Sequence, residues 1–100
     1  IIFAVMKDKD YNMILKKLSI LGGKIIFTGL HNNERALDIE KLKKISEDNK
    51  YFKEIFISGT IKEAIKKALE IKSADDIILI CGSLYLIGEF KKFIKGSENK

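Results

Sequence analysis

Four short apolar runs, each followed by a stretch whose apolar residues recur at helical spacing, limit what this chain can fold into. The runs are "IIFAVM" (1–6), "KIIFTG" (24–29), "EIFIS" (54–58) and "DDIILIC" (75–81). Near-continuous apolar segments of this length are what strands covered on both faces require. After Asp10, the residues Tyr11, Ile14, Leu15, Leu18 and Leu21 form one stripe, and Gly22-Gly23 stop it. Asp38 is a good N-cap for a helix carrying Ile39, Leu42 and Ile45 on one side. Thr60 and Glu63 make a capping box ahead of Ile61, Ala64, Ile65 and Ala68. Leu86, Phe90 and Phe93 line a last helix. The predicted order is β-α-β-α-β-α-β-α with no hairpin signal. Such an order calls for an α/β fold, a parallel sheet with helices on both faces. One domain is expected over residues 1–95, with 96–100 a disordered tail.

The chain begins without Met and inside an apolar strand, as expected of a piece of something longer. No apolar run approaches the ~20 residues of a membrane-spanning helix. A single cysteine, Cys81, cannot form an internal disulfide, which fits a reducing cytoplasm. The net charge of +5 would permit a polyanionic partner. Yet Arg35 is the only arginine among nineteen basic residues, and most lysines fall on outward helix faces. Nucleic-acid readers place Arg where bidentate contacts are needed, so solvated helix faces are the better reading and no nucleic acid is expected.

In an open parallel sheet, ligands gather beyond the carboxyl ends of the strands. Three polar stretches lie there: "KDKD" after the first strand, "GLHNNER" after the second and "GS" after the fourth. Asp10 reads as a helix cap. Lys9 opposes the dipole of the helix it precedes, which points to an anion nearby. Arg35 has two readings side by side: a fork for carboxylate or phosphate, or an ion pair with Glu34, Asp38 or Glu40. His31 has no metal-ligand spacing around it and reads as a loop histidine. "LGGKI" (21–25) is a helix stop, because a phosphate loop would continue into Ser or Thr and a helix. Gly82 lets the backbone turn sharply, and Ser83 with the first-turn N–H groups makes an anion-sized recess. Gly88 sits inside a helix, where glycine is costly, so a close approach of something to the backbone is expected there.

Taken together, these pieces resemble the folylpolyglutamate synthase/dihydrofolate synthase family. "KDKDYNMILKKL", "NNERALDIEKL" and "ILICGSLYLIGEFKKF" are similar to three of its segments, in its order and spacing. The last is the most specific, through Gly82, Ser83, Leu84, Tyr85, Leu86, Gly88 and Glu89. The resemblance implies the Rossmann-like C-terminal domain of a Mur-type, ATP-dependent amino-acid ligase of the cytoplasm. Its partners would be L-glutamate and a folate or dihydropteroate substrate. By the same resemblance, Lys9 and Ser83 would contact the glutamate carboxylates and Asp8 and Asp10 would orient their loop. Arg35 matches the motif without a clear role. ATP and Mg²⁺ would belong to the full-length enzyme, none being held by this piece alone, which is expected to be inactive. The family's first βα unit, with its D-G-A-H-N-P turn, is not in this sequence. An open, apolar sheet edge and self-association are expected for that reason. A stand-alone flavodoxin-like binding or signalling module is the alternative reading of the same alternation.

Overall fold

The computed structural model describes residues 1–4, 10–21, 23–29, 38–82 and 84–98. Its elements are β1 (Ile2–Ala4), α1 (Tyr11–Leu18), β2 (Lys24–Thr28), α2 (Ile39–Asp48), β3 (Glu54–Ser58), α3 (Ile61–Ile71), β4 (Ile80–Gly82) and α4 (Leu84–Glu98). All strand pairs are parallel and the sheet order is β3-β2-β1-β4. The chain therefore steps outward from β1 to β3, then crosses back to place β4 on the far side of β1. This is the strand order of a Rossmann-type half-sheet.

Side chains alternate across the strands, so each strand feeds two cores. Phe3, Ile25 and Phe27 pack with Leu15 of α1, Leu42 of α2 and Phe52. The Phe3 and Phe27 rings meet edge to face, 6.2 Å apart at 72°. On the opposite face Ile2 and Ile26 pack with Ala64 and Ala68 of α3, and Ala4 meets Leu86 of α4. Helices thus cover both faces, as the βα alternation requires. Three helix starts are fixed by side chains read from the sequence. Asp10 accepts from the Met13 N–H, Asp38 from the Glu40 N–H and Thr60 from the Glu63 N–H. A long-range tie adds to these: Lys24 Nζ donates to the Ile71 carbonyl, 3.0 Å away at the end of α3.

Three details depart from expectation. Helix α1 ends at Leu18 rather than at the glycines. The Ile20 and Leu21 N–H groups bond to the carbonyls of Lys17 and Leu18, a tightened turn that rotates Leu21 out of the stripe. Leu21 is accordingly 68% exposed. The fourth strand is shorter than "DDIILIC", because Asp76 accepts from the Ser73 N–H at 2.8 Å and holds a turn there. Its first bond to β1 runs from the Ile2 N–H to the Leu79 carbonyl. Among the described residues nothing lies within 4 Å of where a Cβ on Gly88 would stand, so helix–sheet packing is not what glycine serves there. Helix α4 runs from Leu84 to Glu98.

Candidate functional site

The reversal of strand order falls between β1 and β4, so their carboxyl ends flank the crevice where an open α/β sheet binds ligands. These ends are brought close together. Ala4 and Gly82 are partners in register. Gly82 has φ +113°, a conformation L side chains rarely adopt. A Cβ there would fall on the Ala4 carbonyl oxygen and lie 2.9 Å from the Phe3 ring. Glycine is thus the residue that lets β4 turn out of the sheet against β1. The neighbouring exit of β3 is different. Gly29 N–H donates to the Ser58 carbonyl at 3.3 Å, and a Cβ on Gly29 would meet the Gly59 carbonyl at 3.2 Å. That corner is closed by backbone, and Thr60 goes straight into capping α3. The polar stretch after β3 is a turn and a cap, as the sequence implied.

Lys9 and Asp8 belong to residues 5–9, between Ala4 and Asp10, and lie outside the described residues, as do Ser83 and Arg35. The strands that precede Lys9 and Ser83 in sequence are adjacent in the sheet, and the last described residues before them, Ala4 and Gly82, are partners in register. Asp10 is described. Its Oδ1 accepts from the Met13 N–H at 3.2 Å, so its carboxylate caps α1. His31 also lies outside the described residues.

Sequence reasoning missed the fastening around Asp10. Asn12 Oδ1 accepts a hydrogen bond from the Tyr51 hydroxyl at 2.9 Å, across 39 positions of sequence. Lys41 Nζ stands 5.7 Å from the centroid of the Tyr11 ring, within cation–π range. No local spacing reports a contact of this kind. Asp10, Tyr11, Asn12, Ile45 and Asn49 line a shallow recess of about 400 Å³ between α1 and α2. A larger cleft of about 720 Å³ lies at the opposite, amino edge of the sheet, against Ile1, Lys24, Glu54 and Ile77, and is far from the switch point. Cys81 faces the α1–α2 side of β4, half-buried. Burial pushes its thiol upward, and the amino group of Ile1 offsets part of that rise.

The dihydrofolate synthetase C-terminal domain family matches residues 1–93, nearly the entire chain. The chain belongs to that family. No curated protein and no solved structure matches it. A dihydrofolate synthetase C-terminal domain is part of a folate-processing ligase, and the α/β fold with its open switch point fits that assignment. Among the described residues, no group of three or more His, Cys, Asp or Glu side chains could hold a metal ion. Nor is any helix among them long and apolar enough to cross a membrane.

Proposed function

We propose that this dihydrofolate synthetase C-terminal domain binds L-glutamate and presents its amino group in an ATP-dependent ligation to dihydropteroate or folate. The observation that carries the reading is the family match over residues 1–93, joined to a sheet whose order reverses between β1 and β4. In the reaction, the γ-phosphoryl group of ATP passes to a substrate carboxylate, giving an acyl phosphate and ADP. The glutamate amine then attacks the acyl carbon, and inorganic phosphate leaves with the C–O bond. ATP and Mg²⁺ supply the activation and are held by the rest of the enzyme. The role of this chain is positioning and charge neutralisation. Lys9 pairs with a glutamate carboxylate, Ser83 and the N-terminus of α4 meet one by hydrogen bonding, and Asp8 and Asp10 orient the loop between β1 and α1. The isolated domain is inactive in this reading and belongs in the cytoplasm with its folate substrate.

In a full-length ligase carrying this domain, Lys9→Ala or Ser83→Ala is expected to raise the glutamate KM by at least about tenfold, as loss of a charge-assisted contact does. The ATP KM should stay nearly constant. Equal effects on both substrates would remove these residues from the amino-acid site.

A further inference from the structure

In the sequence, residues 5–9 lie between Ala4 and Asp10, both of them fixed. At one end, Ala4 is buried and in register with Gly82. At the other, three consecutive residues are each fastened to something else. Asp10 caps α1, Tyr11 lies under Lys41, and Asn12 accepts from Tyr51. We propose that Tyr51, aided by Lys41, is a positioning residue that fixes the start of α1 and its cap Asp10, the residue that follows Lys9 in the sequence. The functional half of this inference rests on the amino-acid site proposed above.

Two features make Tyr51 suited to the task. First, α1 has eight residues, about two turns, and a helix that short does not hold itself together in water. Its first turn needs outside partners, and Asn12 in that turn is reached from a distant part of the chain. Second, Tyr51 is held on its own side. The Tyr51 N–H donates to the Ser46 carbonyl at 3.1 Å and the Lys50 N–H to the Glu47 carbonyl at 3.2 Å. This pair is a Schellman motif closing α2. The Tyr51 side chain packs against the core that contains Phe3, the neighbour of Ala4 in β1. The ring is therefore anchored in the core beside Ala4, and its hydroxyl reaches Asn12 in the first turn of α1. Only Asp10 and Tyr11 separate Asn12 from Lys9 in the sequence.

The test uses the full 100-residue chain, unsubstituted and as Tyr51→Phe, Asn12→Ala and Asn12→Asp, with L-glutamate as the probe. In Tyr51→Phe and Asn12→Ala, amide hydrogen exchange at Met13 and Ile14 is expected to quicken about fivefold, while Ile26 in β2 is unchanged. The Lys9 amide resonance should move in the same two variants, and the glutamate dissociation constant should rise about fivefold. Asn12→Asp keeps the acceptor for the tyrosine hydroxyl and should restore all three readouts. Unchanged exchange at Met13 and Ile14 in Tyr51→Phe overturns the inference. So does faster exchange with an unmoved Lys9 resonance, or with unaltered glutamate binding. If the unsubstituted chain does not bind glutamate, the amino-acid reading fails instead. The exchange and Lys9 resonances then still support or overturn the positioning role.

Discussion

Ala4 and Gly82 stand opposite each other at the last rung between β1 and β4, and the rung leaves no volume for a side chain on Gly82. The obstacle is the Ala4 backbone carbonyl, which cannot rotate aside as a flexible side chain could. Gly82→Ala combines that clash with a left-handed backbone, for a loss of about 3 kcal/mol or more. Against a total stability of about 5–15 kcal/mol, the variant should unfold at a much lower urea concentration. An unshifted urea midpoint would mean that β4 leaves the sheet by another path.

Lys50 occupies the C′ position of the Schellman motif with φ 54°, where glycine is the usual residue. A lysine there bears the crowding of its Cβ against the carbonyl that glycine avoids. Lys50→Gly should therefore stabilise the domain by about 0.5–1 kcal/mol, net of the greater entropy glycine gives the unfolded chain. The check is a urea titration of both proteins. A destabilised Lys50→Gly would show that the lysine side chain contributes more than its backbone strain costs.

How far the sequence foretells this molecule depends on the range of the interaction involved. The element order, the Asp10, Asp38 and Thr60 caps and the inward faces of α2 and α3 follow from contacts within a few residues, and each is legible. The β1–β4 adjacency follows from the usual behaviour of open sheets, which also located the candidate rim. Leu21 departs from the helical periodicity because the turn before it tightens. The apolar run exceeds β4 because it says nothing about where the ladder to β1 starts. The Tyr51–Asn12 and Lys24–Ile71 ties lie 39 and 47 positions apart, and no local pattern encodes them. No described residue packs close to Gly88, so its glycine does not serve helix–sheet packing.

Ile77 is 91% exposed and precedes β4, whose outer side has no strand partner among the described residues. Leu79, two positions on, is 39% exposed. An apolar open edge favours pairing with a second copy of the chain. Sedimentation velocity is expected to show concentration-dependent self-association of the unsubstituted protein and a shift towards monomer in Ile77→Lys. Because Ile77 has little packing to lose, its substitution should change stability by less than about 0.5 kcal/mol. A strictly monomeric unsubstituted chain at high concentration defeats the expectation.

Cys81 gives the domain a stability that depends on alkaline pH. Burial is the larger influence on its thiol and raises it above the ordinary value of 9.0, while the Ile1 amino group opposes that rise. A raised folded-state value means that the folded protein holds the proton more tightly than the unfolded chain. The associated stability is fully present below 9.0 and is lost as pH rises through the folded value. Replacing the thiol with an apolar group of similar size, as in Cys81→Val, removes this dependence. The urea midpoints of the two proteins should therefore run parallel below about pH 8.5 and diverge above it, with the unsubstituted chain falling faster. The other ionising groups are common to both chains and cancel in the difference, apart from the Ile1 amino group that interacts with the thiolate. Thiol alkylation at about pH 8 should likewise be slower in the folded protein than in urea, since the thiolate is the reacting form. Parallel midpoints throughout the alkaline range would show that Cys81 is as well solvated folded as unfolded, against the half-burial that its packing on the Phe3 core implies.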